Sequence, residues 1–371
     1  MSPPPARPDG TPIRVTIVDD SVVVRGLFSR WLAAMPDVEI AGIHRNGLEA
    51  VRQIANVRPD VVILDIEMPE MDGLTALPLL LEASPGSRVL VVSGMSVRGA
   101  DITLRCIMRG AVDYLAKPST IHEGTSLDEF RDALMQRVRA VGARRAVQRG
   151  VPACAPVAGG AAETPVHAAR PEPSLRAQTG RPGLIVIGAS TGGPPVITDL
   201  FRHLAPVLPP VPIVVAQQMP ATFSTLFADL LRRQAGVPAR EILGGEEITA
   251  GSVAVCRGGQ NMRLIRVAGR LMAQKAEGQD AAFGKPSIDL MFESAVEAAG
   301  GGVLGVILTG IGRDGLAGAK AIVEARGIVL CQDESSSAVW GTPGAVVQAG
   351  YASAILPVAE LAARIRSFFL S

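Results

Sequence analysis

The sequence predicts an α/β protein in two blocks, each a mostly parallel sheet wrapped by helices. Three observations carry that expectation. Apolar runs of strand length alternate with segments of helical period, and the connections between them are short. A stretch from Val147 to Pro182, rich in Ala, Pro and Gly and without any period, separates one alternating series from the next.

In the first block, IRVTIV (13–18) reads as a buried strand, and Ser21 is a good N-cap for a helix reaching residue 34. NGLEAVRQIANV (46–57) is amphipathic, and VVILDI (61–66) is the second clear strand. GLTALPLLLEA (73–83) reads as a helix with Pro78 as a local flaw, and SRVLVVSG (87–94) as a strand. GADITLRCIMRG (99–110) reads as a helix, DYLAKP (113–118) holds a short strand, and residues 126–147 form a long closing helix. Such a series folds as a doubly wound parallel sheet.

The second block starts at Gly183. LIVIG (184–188) is a buried strand, followed by a helix from Pro194 to His203, the strand PIVVAQ (212–217) and a helix from Thr222 to Gln234. SVAVC (252–256) and residues 262–274 look like β-hairpin material. SIDLMFESAVEAAG (287–300) is a helix capped by Ser287, and GVLGVILTG (302–310) is apolar throughout, as a central strand should be. A helix from Gly315 to Ala325, the strand IVLCQD (328–333), a last strand near ASAILP and a helix from Val358 to Phe369 close the block.

Composition narrows the function. A chain of 371 residues fits two domains and a linker. The formal net charge of +1 gives no global field for nucleic acid or an anionic membrane, and two Trp with two Tyr offer no stacking platform for single strands. The cysteines Cys106, Cys154, Cys256 and Cys331 form no C-x-x-C pair, so reduced thiols in a cytosolic protein are expected. Residues 1–12 carry no signal-peptide stretch, and no window approaches the ~20 apolar residues of a membrane span. A cytoplasmic protein without nucleic-acid binding or membrane insertion is the expectation.

Two constellations carry chemistry. In the first block Asp19-Asp20, Asp65, Ser93 and Lys117 close successive strands, so all lie at the carboxyl edge of the sheet where such folds form their cleft. Three carboxylates repel one another unless a hard cation joins them, and an all-oxygen donor set favours Mg2+ on Asp19, Asp20 and Asp65. Asp65 is then placed as a nucleophile toward a phosphoryl group, Lys117 as a counter-charge and Ser93 as a hydrogen-bond donor. The stretch from Asp65 to Gly73 (DIEMPEMDG) resembles the phosphorylation-site signature of response-regulator receivers. The resemblance implies a flavodoxin-like receiver at 12–132, phosphotransfer to Asp65 from a histidine kinase, an additional metal ligand from the carbonyl of Glu67, and Tyr114 as the switch aromatic.

In the second block Gly188-Ala189-Ser190-Thr191-Gly192 matches G-x-S-x-G after a strand, which holds a Ser hydroxyl exposed at a helix N-terminus. Asp314, in LTGIGRDG (308–315), stands at the carboxyl edge again, either as the orienter of a base or as a helix N-cap. The Gly-flanked backbone near Ile311 offers oxyanion donors. With AQQMP (216–220), KPSIDLMF (285–292) and QDESSSAVWGTPGA (332–345), the block resembles the catalytic domain of the chemotaxis protein-glutamate methylesterases (CheB). That likeness implies an α/β methylesterase domain at 182–371, with residues 133–181 as the closing-helix end and linker. It implies hydrolysis of glutamyl methyl esters and deamidation of glutamines on methyl-accepting chemotaxis receptors, in the control of adaptation. Ser190 carries over as nucleophile and Asp314 as orienter, with no cofactor in the esterase domain.

The third triad position departs from the family. Its motif reads Gln-His-Met-Pro, and here Gln218 stands in the His position. A second family His is replaced within the segment Cys256–Asn261, and His203, the one histidine of this block, lies about 15–20 Å down the helix that follows Ser190. A glutamine amide cannot accept and return a proton near neutral pH. The expectation is therefore a phosphorylation-regulated methylesterase and glutaminase of reduced turnover. The alternative is an impaired or inactive homologue that binds receptor or kinase as a phospho-dependent switch. A DNA-binding regulator is disfavoured, because no helix-turn-helix pattern or basic face follows the linker.

Overall fold

The computed structural model describes residues 10–94, 96–117, 127–143, 181–276 and 284–370. Most of the expected linker, with Cys154 and His167, lies outside them, as does His122. Two compact units are present: residues up to Leu90 with the helix at 127–142, and residues from Val91 to 117 with everything from 181 onward.

The first series runs β1 (Ile13–Val18), α1 (Val22–Ala33), β2 (Val38–His44), α2 (Gly47–Val57), β3 (Val61–Asp65), α3 (Gly73–Ala83), β4 (Arg88–Ser93), α4 (Val97–Met108), β5 (Asp113–Ala116) and α5 (Leu127–Gly142). Its strands are ordered β2-β1-β3-β4-β5, and β1 pairs in parallel with β2 and β3. The order reverses between β1 and β3, which places the crevice over the ends of those two strands. Ser21, Asn46 and Asp72 cap α1, α2 and α3, each accepting a backbone N–H three residues on. Strand β2 was not foreseen. It is an edge strand with only His44 fully buried, so it lacks the apolar run that marks a central strand. Phe28 stacks on Phe130, fixing α1 against α5.

The second series runs β6 (Leu184–Ala189), α6 (Gly193–Leu204), β7 (Ile213–Gln217), α7 (Ala221–Ala235), β8 (Ala239–Ile242), β9 (Val253–Cys256), β10 (Asn261–Val267), β11 (Arg270–Ala276) and α8 (Ile288–Ala299). It continues with β12 (Val303–Ile307), α9 (Leu316–Glu324), β13 (Ile328–Gln332), α10 (Thr342–Gln348), β14 (Ala354–Leu356) and α11 (Val358–Ser367). Seven strands form one parallel sheet in the order β14-β13-β12-β6-β7-β9-β8. The apolar β12 does lie in the interior, beside β6. The expectation for SVAVC is corrected: β9 joins the parallel sheet between β7 and β8, because its four fully buried residues need cover on both faces. Only β10 and β11 make the hairpin, an antiparallel pair of their own. The core around this sheet is mainly aliphatic, with the rings of Phe201, Phe223, Phe227 and Phe292 fully buried.

Candidate active site

Three strand ends meet at the carboxyl edge of the seven-stranded sheet. After β6 the chain turns through Ser190, Thr191 and Gly192 into α6. Gly192 has a positive φ of 76°, and a Cβ there would lie 2.4 Å from that of Ala338, so the tight elbow needs glycine. The Ser190 N–H donates to the Thr309 carbonyl (3.0 Å), and the Gln218 N–H donates to that of Ala189 (3.0 Å). The elbow is thus stapled to the β12 loop on one side and to the β7 loop on the other.

The hydroxyl of Ser190 is not exposed as expected: the residue is only 8% accessible. The backbone at Gly310–Ile311 closes over it. Ile311 N–H donates to Ser190 Oγ at 3.0 Å, and a Cβ on Gly310 would approach that oxygen to 2.4 Å. The Ile311 N–H, expected near an oxyanion position, is here taken by the serine oxygen itself.

Asp314 is not the N-cap of the helix that follows it; Gly315 holds that position. Its carboxylate instead takes the N-terminus of α8, accepting from the N–H of Ile288 (2.8 Å) and of Asp289 (3.0 Å) and from the Ser287 hydroxyl (3.1 Å). A fourth donor is Gln218, whose Nε2 lies 2.7 Å from Asp314 Oδ2. The favour is returned across the pair. Asp289 Oδ1 accepts from Gly315 N–H (2.8 Å) and Gly318 N–H (2.7 Å), capping α9. Burial, reinforced by the charge of Asp314, pushes the Asp289 carboxyl up to about 6. Each loop aspartate thus anchors the other's helix.

Gln218 reaches Asp314 but not Ser190: among the described residues no hydrogen bond joins its side chain to the hydroxyl. His203 lies exposed on α6, 3.8 Å from Asp199, and takes no part. At Asn261, in the segment where the second family histidine is replaced, the amide oxygen accepts the Ser287 N–H (2.9 Å) and helps seat the start of α8. Asn261, Asp289, Thr309 and Gln217 were not foreseen as site residues. Their signal was polarity at the end of apolar strands and at a helix start, which alone does not reveal what they touch.

In the first sheet, ligand oxygens of Asp19, Asp20 and Asp65 lie within 4.8 Å of one another. Asp19 and Asp65 are buried, and each accepts a nearby backbone N–H, from Ser21 (2.9 Å) and Ile66 (2.8 Å). A close, all-oxygen, mutually repelling set fits a small divalent cation. Ser93 ends β4, buried, with its hydroxyl 2.7 Å from Thr103 on α4; since Thr103 donates to the Gly99 carbonyl, Ser93 is the donor between them. Lys117 follows β5, its N–H bonded to the Ser93 carbonyl (2.7 Å). Tyr114 stacks on Phe223 of α7 with ring centroids 4.5 Å apart, and Asp113 accepts the Thr191 hydroxyl at 2.5 Å. These contacts all fall within the second compact unit.

Both blocks of the chain match known families. Residues 185–365 match the CheB methylesterase family and residues 15–127 the response regulator receiver domain. The chain is 41% identical, over 96% of its length and 94% of the relative's, to the protein-glutamate methylesterase/protein-glutamine glutaminase of group 2 operon of Rhodopseudomonas palustris. It is 39% identical, over 99% of this chain and 97% of the other, to the protein-glutamate methylesterase/protein-glutamine glutaminase of Azospirillum brasilense. Among solved structures, the Thermotoga maritima CheB methylesterase catalytic domain covers 50% of this chain and 98% of its own, at 30% identity and a TM-score of 0.48.

Proposed function

The chain belongs to the CheB methylesterase family and carries a receiver domain ahead of the catalytic block, and from that premise we propose a phosphorylation-controlled protein-glutamate methylesterase and glutaminase slowed by Gln218. Its substrates are glutamyl methyl esters and certain glutamine amides of methyl-accepting chemotaxis receptors.

Ser190 Oγ is the nucleophile. It bonds to the ester carbonyl carbon, and the Ile311 N–H, which rests on Ser190 Oγ, turns to the oxygen that becomes negative. Collapse releases methanol, or ammonia from an amide, and water then hydrolyses the acyl-enzyme to the free glutamate. Each step moves a proton. In a Ser-His-Asp arrangement the imidazole carries it; here the side chain next to Asp314 is an amide that can donate but cannot shuttle. The Ser190 proton must leave to water or to the departing group directly, which raises the barrier without disturbing binding.

Control comes from Asp65, phosphorylated by a histidine kinase. Asp19, Asp20 and Asp65 would hold Mg2+, which when bound offsets the charge of the phosphoryl group. Ser93, Lys117 and Tyr114 are the receiver switch. Ser93 must release Thr103 to reach a phosphoryl oxygen, and the Asp113–Thr191 bond lies one residue from Ser190. Both support a resting state that hinders the esterase site and a phosphorylated state that frees it.

The observation that carries the reading is the Gln218–Asp314 bond of 2.7 Å, which puts an amide where the proton carrier of a serine triad would stand. The test is methanol release from methylated chemoreceptor by the phosphorylated chain, wild type against Gln218→His. Restoring a base should raise the rate by ~10²–10⁴. Equal rates for the two proteins would overturn the role given to position 218.

A further inference from the structure

We infer that Gln217, the residue before the altered triad position, is a positioning residue that sets the distance between Ser190 and side chain 218. This rests on the esterase reading above. Gln217 ends β7 and is 2% accessible. Its Nε2 donates to two carbonyls at once, that of Ser190 at 2.9 Å and that of Gln218 at 3.0 Å. One amide nitrogen therefore bridges the main chain of the nucleophile to the main chain of the neighbouring loop.

Two further features mark this as a built contact. The amide oxygen of Gln217 is buried with no hydrogen-bond partner among the described residues. A hydrocarbon of the same length would fill the space without leaving a buried acceptor unmet, so packing alone does not account for a glutamine. The oxygen also rests directly on α6: a Cβ on Gly193 would lie 1.8 Å from it and 2.8 Å from the amide carbon. The amide plane is held between the first turn of α6 and the two carbonyls, so its donor direction has no freedom. Gly193 N–H also donates to the Ser190 carbonyl (2.9 Å), so that oxygen receives two donors.

The consequence is separable from stability. Without the bridge, β6 and β7 keep their ladder, since that pairing is main chain to main chain. What loosens is the register of two loops whose side chains must meet a substrate carbon and a proton path together. Misplacement by ~1 Å at such a site costs about 10² in rate.

The experiment uses the full chain. A small fluorophosphonate ester reacts with Ser190: an Oγ–P bond forms, the P–F bond breaks, and fluoride and the serine proton leave. Its second-order rate constant is measured per folded molecule for Gln217→Met, Gln217→Glu and Gly193→Ala, each with Gln218 and with Gln218→His. The expected result is a fall of at least tenfold in every case. In the Gln218→His background, kcat for methanol release falls likewise while KM stays within about twofold. Should Gln217→Met fail to fold, Gly193→Ala, which displaces the amide without removing it, still decides. Labelling within threefold of the parent overturns the inference, as does a KM that rises in step with the loss of kcat. Failure of the esterase reading looks different: both parents would then be unlabelled at Ser190.

Discussion

The two carboxyl-edge sites of this chain use the same platform and are held in different ways. At the proposed phosphoacceptor site, Asp19 and Asp65 sit at strand ends, each with a local backbone N–H as support, and with Asp20 they face one another across at most 4.8 Å. At the esterase site, Asp314 alone accepts four hydrogen bonds, from residues 218, 287, 288 and 289, and the serine is stapled to two loops. The difference follows from the chemistry. A carboxylate cluster completed by a cation and a phosphodonor needs charge in one place and tolerates small rotations. A serine and a carboxylate that act on one substrate group need every direction fixed, so their support is larger than the site itself.

The largest effect that would break this comparison is at Asp65. Asp65→Asn should reduce phosphoryl incorporation from a kinase to background, since no other buried carboxylate there ends the central strand β3. The thermal midpoint should rise or hold, because one of three repelling charges is gone. Incorporation that persists in the variant, read by phosphate-affinity gel, would remove Asp65 from its role.

Next in size is Asp314. In the Gln218→His background, Asp314→Asn should lower kcat by about 10⁴, the loss a serine triad suffers when its aspartate no longer fixes the imidazole tautomer. The N-terminus of α8 would simultaneously lose the acceptor of one of its two N–H groups, since the amide keeps a single oxygen. If kcat changes less than tenfold, Asp314 serves α8 alone and the triad reading falls.

A smaller effect is expected where β5 touches the elbow. Asp113→Ala removes the acceptor of the Thr191 hydroxyl, a charge-assisted bond of about 1.5–3 kcal/mol at most. Basal methanol release by the unphosphorylated chain should rise about tenfold, 1.4 kcal/mol being a decade, while the phosphorylated rate stays put. A basal rate that does not move would mean that this contact does not restrain the site.

These variants also mark what could be read before any coordinates. Asp19, Asp65, Ser93 and Lys117 were legible because each closes a strand run, and strand ends are written in the local pattern. Ser190 was legible from its glycines, and the Ser21 and Ser287 caps from the residue types that follow them. The rest depends on contacts between residues far apart in the chain. Nothing near Asp314 in sequence says that it caps the helix at 288–299 rather than its own. Gln217 looked like the polar end of an apolar strand until its amide was found between two carbonyls. Edge strand β2 and the short strand β8 were missed for a related reason: half-exposed or four-residue segments leave too few apolar positions to show a period.

The smallest effect sharpens the comparison from the receiver side. His44 closes β2 with both ring nitrogens buried and without hydrogen-bond partners among the described residues, beside the equally unpartnered Thr16 hydroxyl on β1. Burial pulls its pKa below the ordinary value of 6.5, against a weaker opposing pull from Glu49. The sign follows from proton counts. Between the folded and unfolded pKa values the unfolded chain binds the extra proton, so the stabilisation is complete above about 6.5 and is lost as pH falls through the lower, folded value. His44→Leu keeps the bulk and removes the titration. The midpoint of the receiver transition should therefore fall between pH 7 and pH 5.5 more steeply in wild type than in the variant. Parallel pH profiles would mean that the ring gains a partner on protonation.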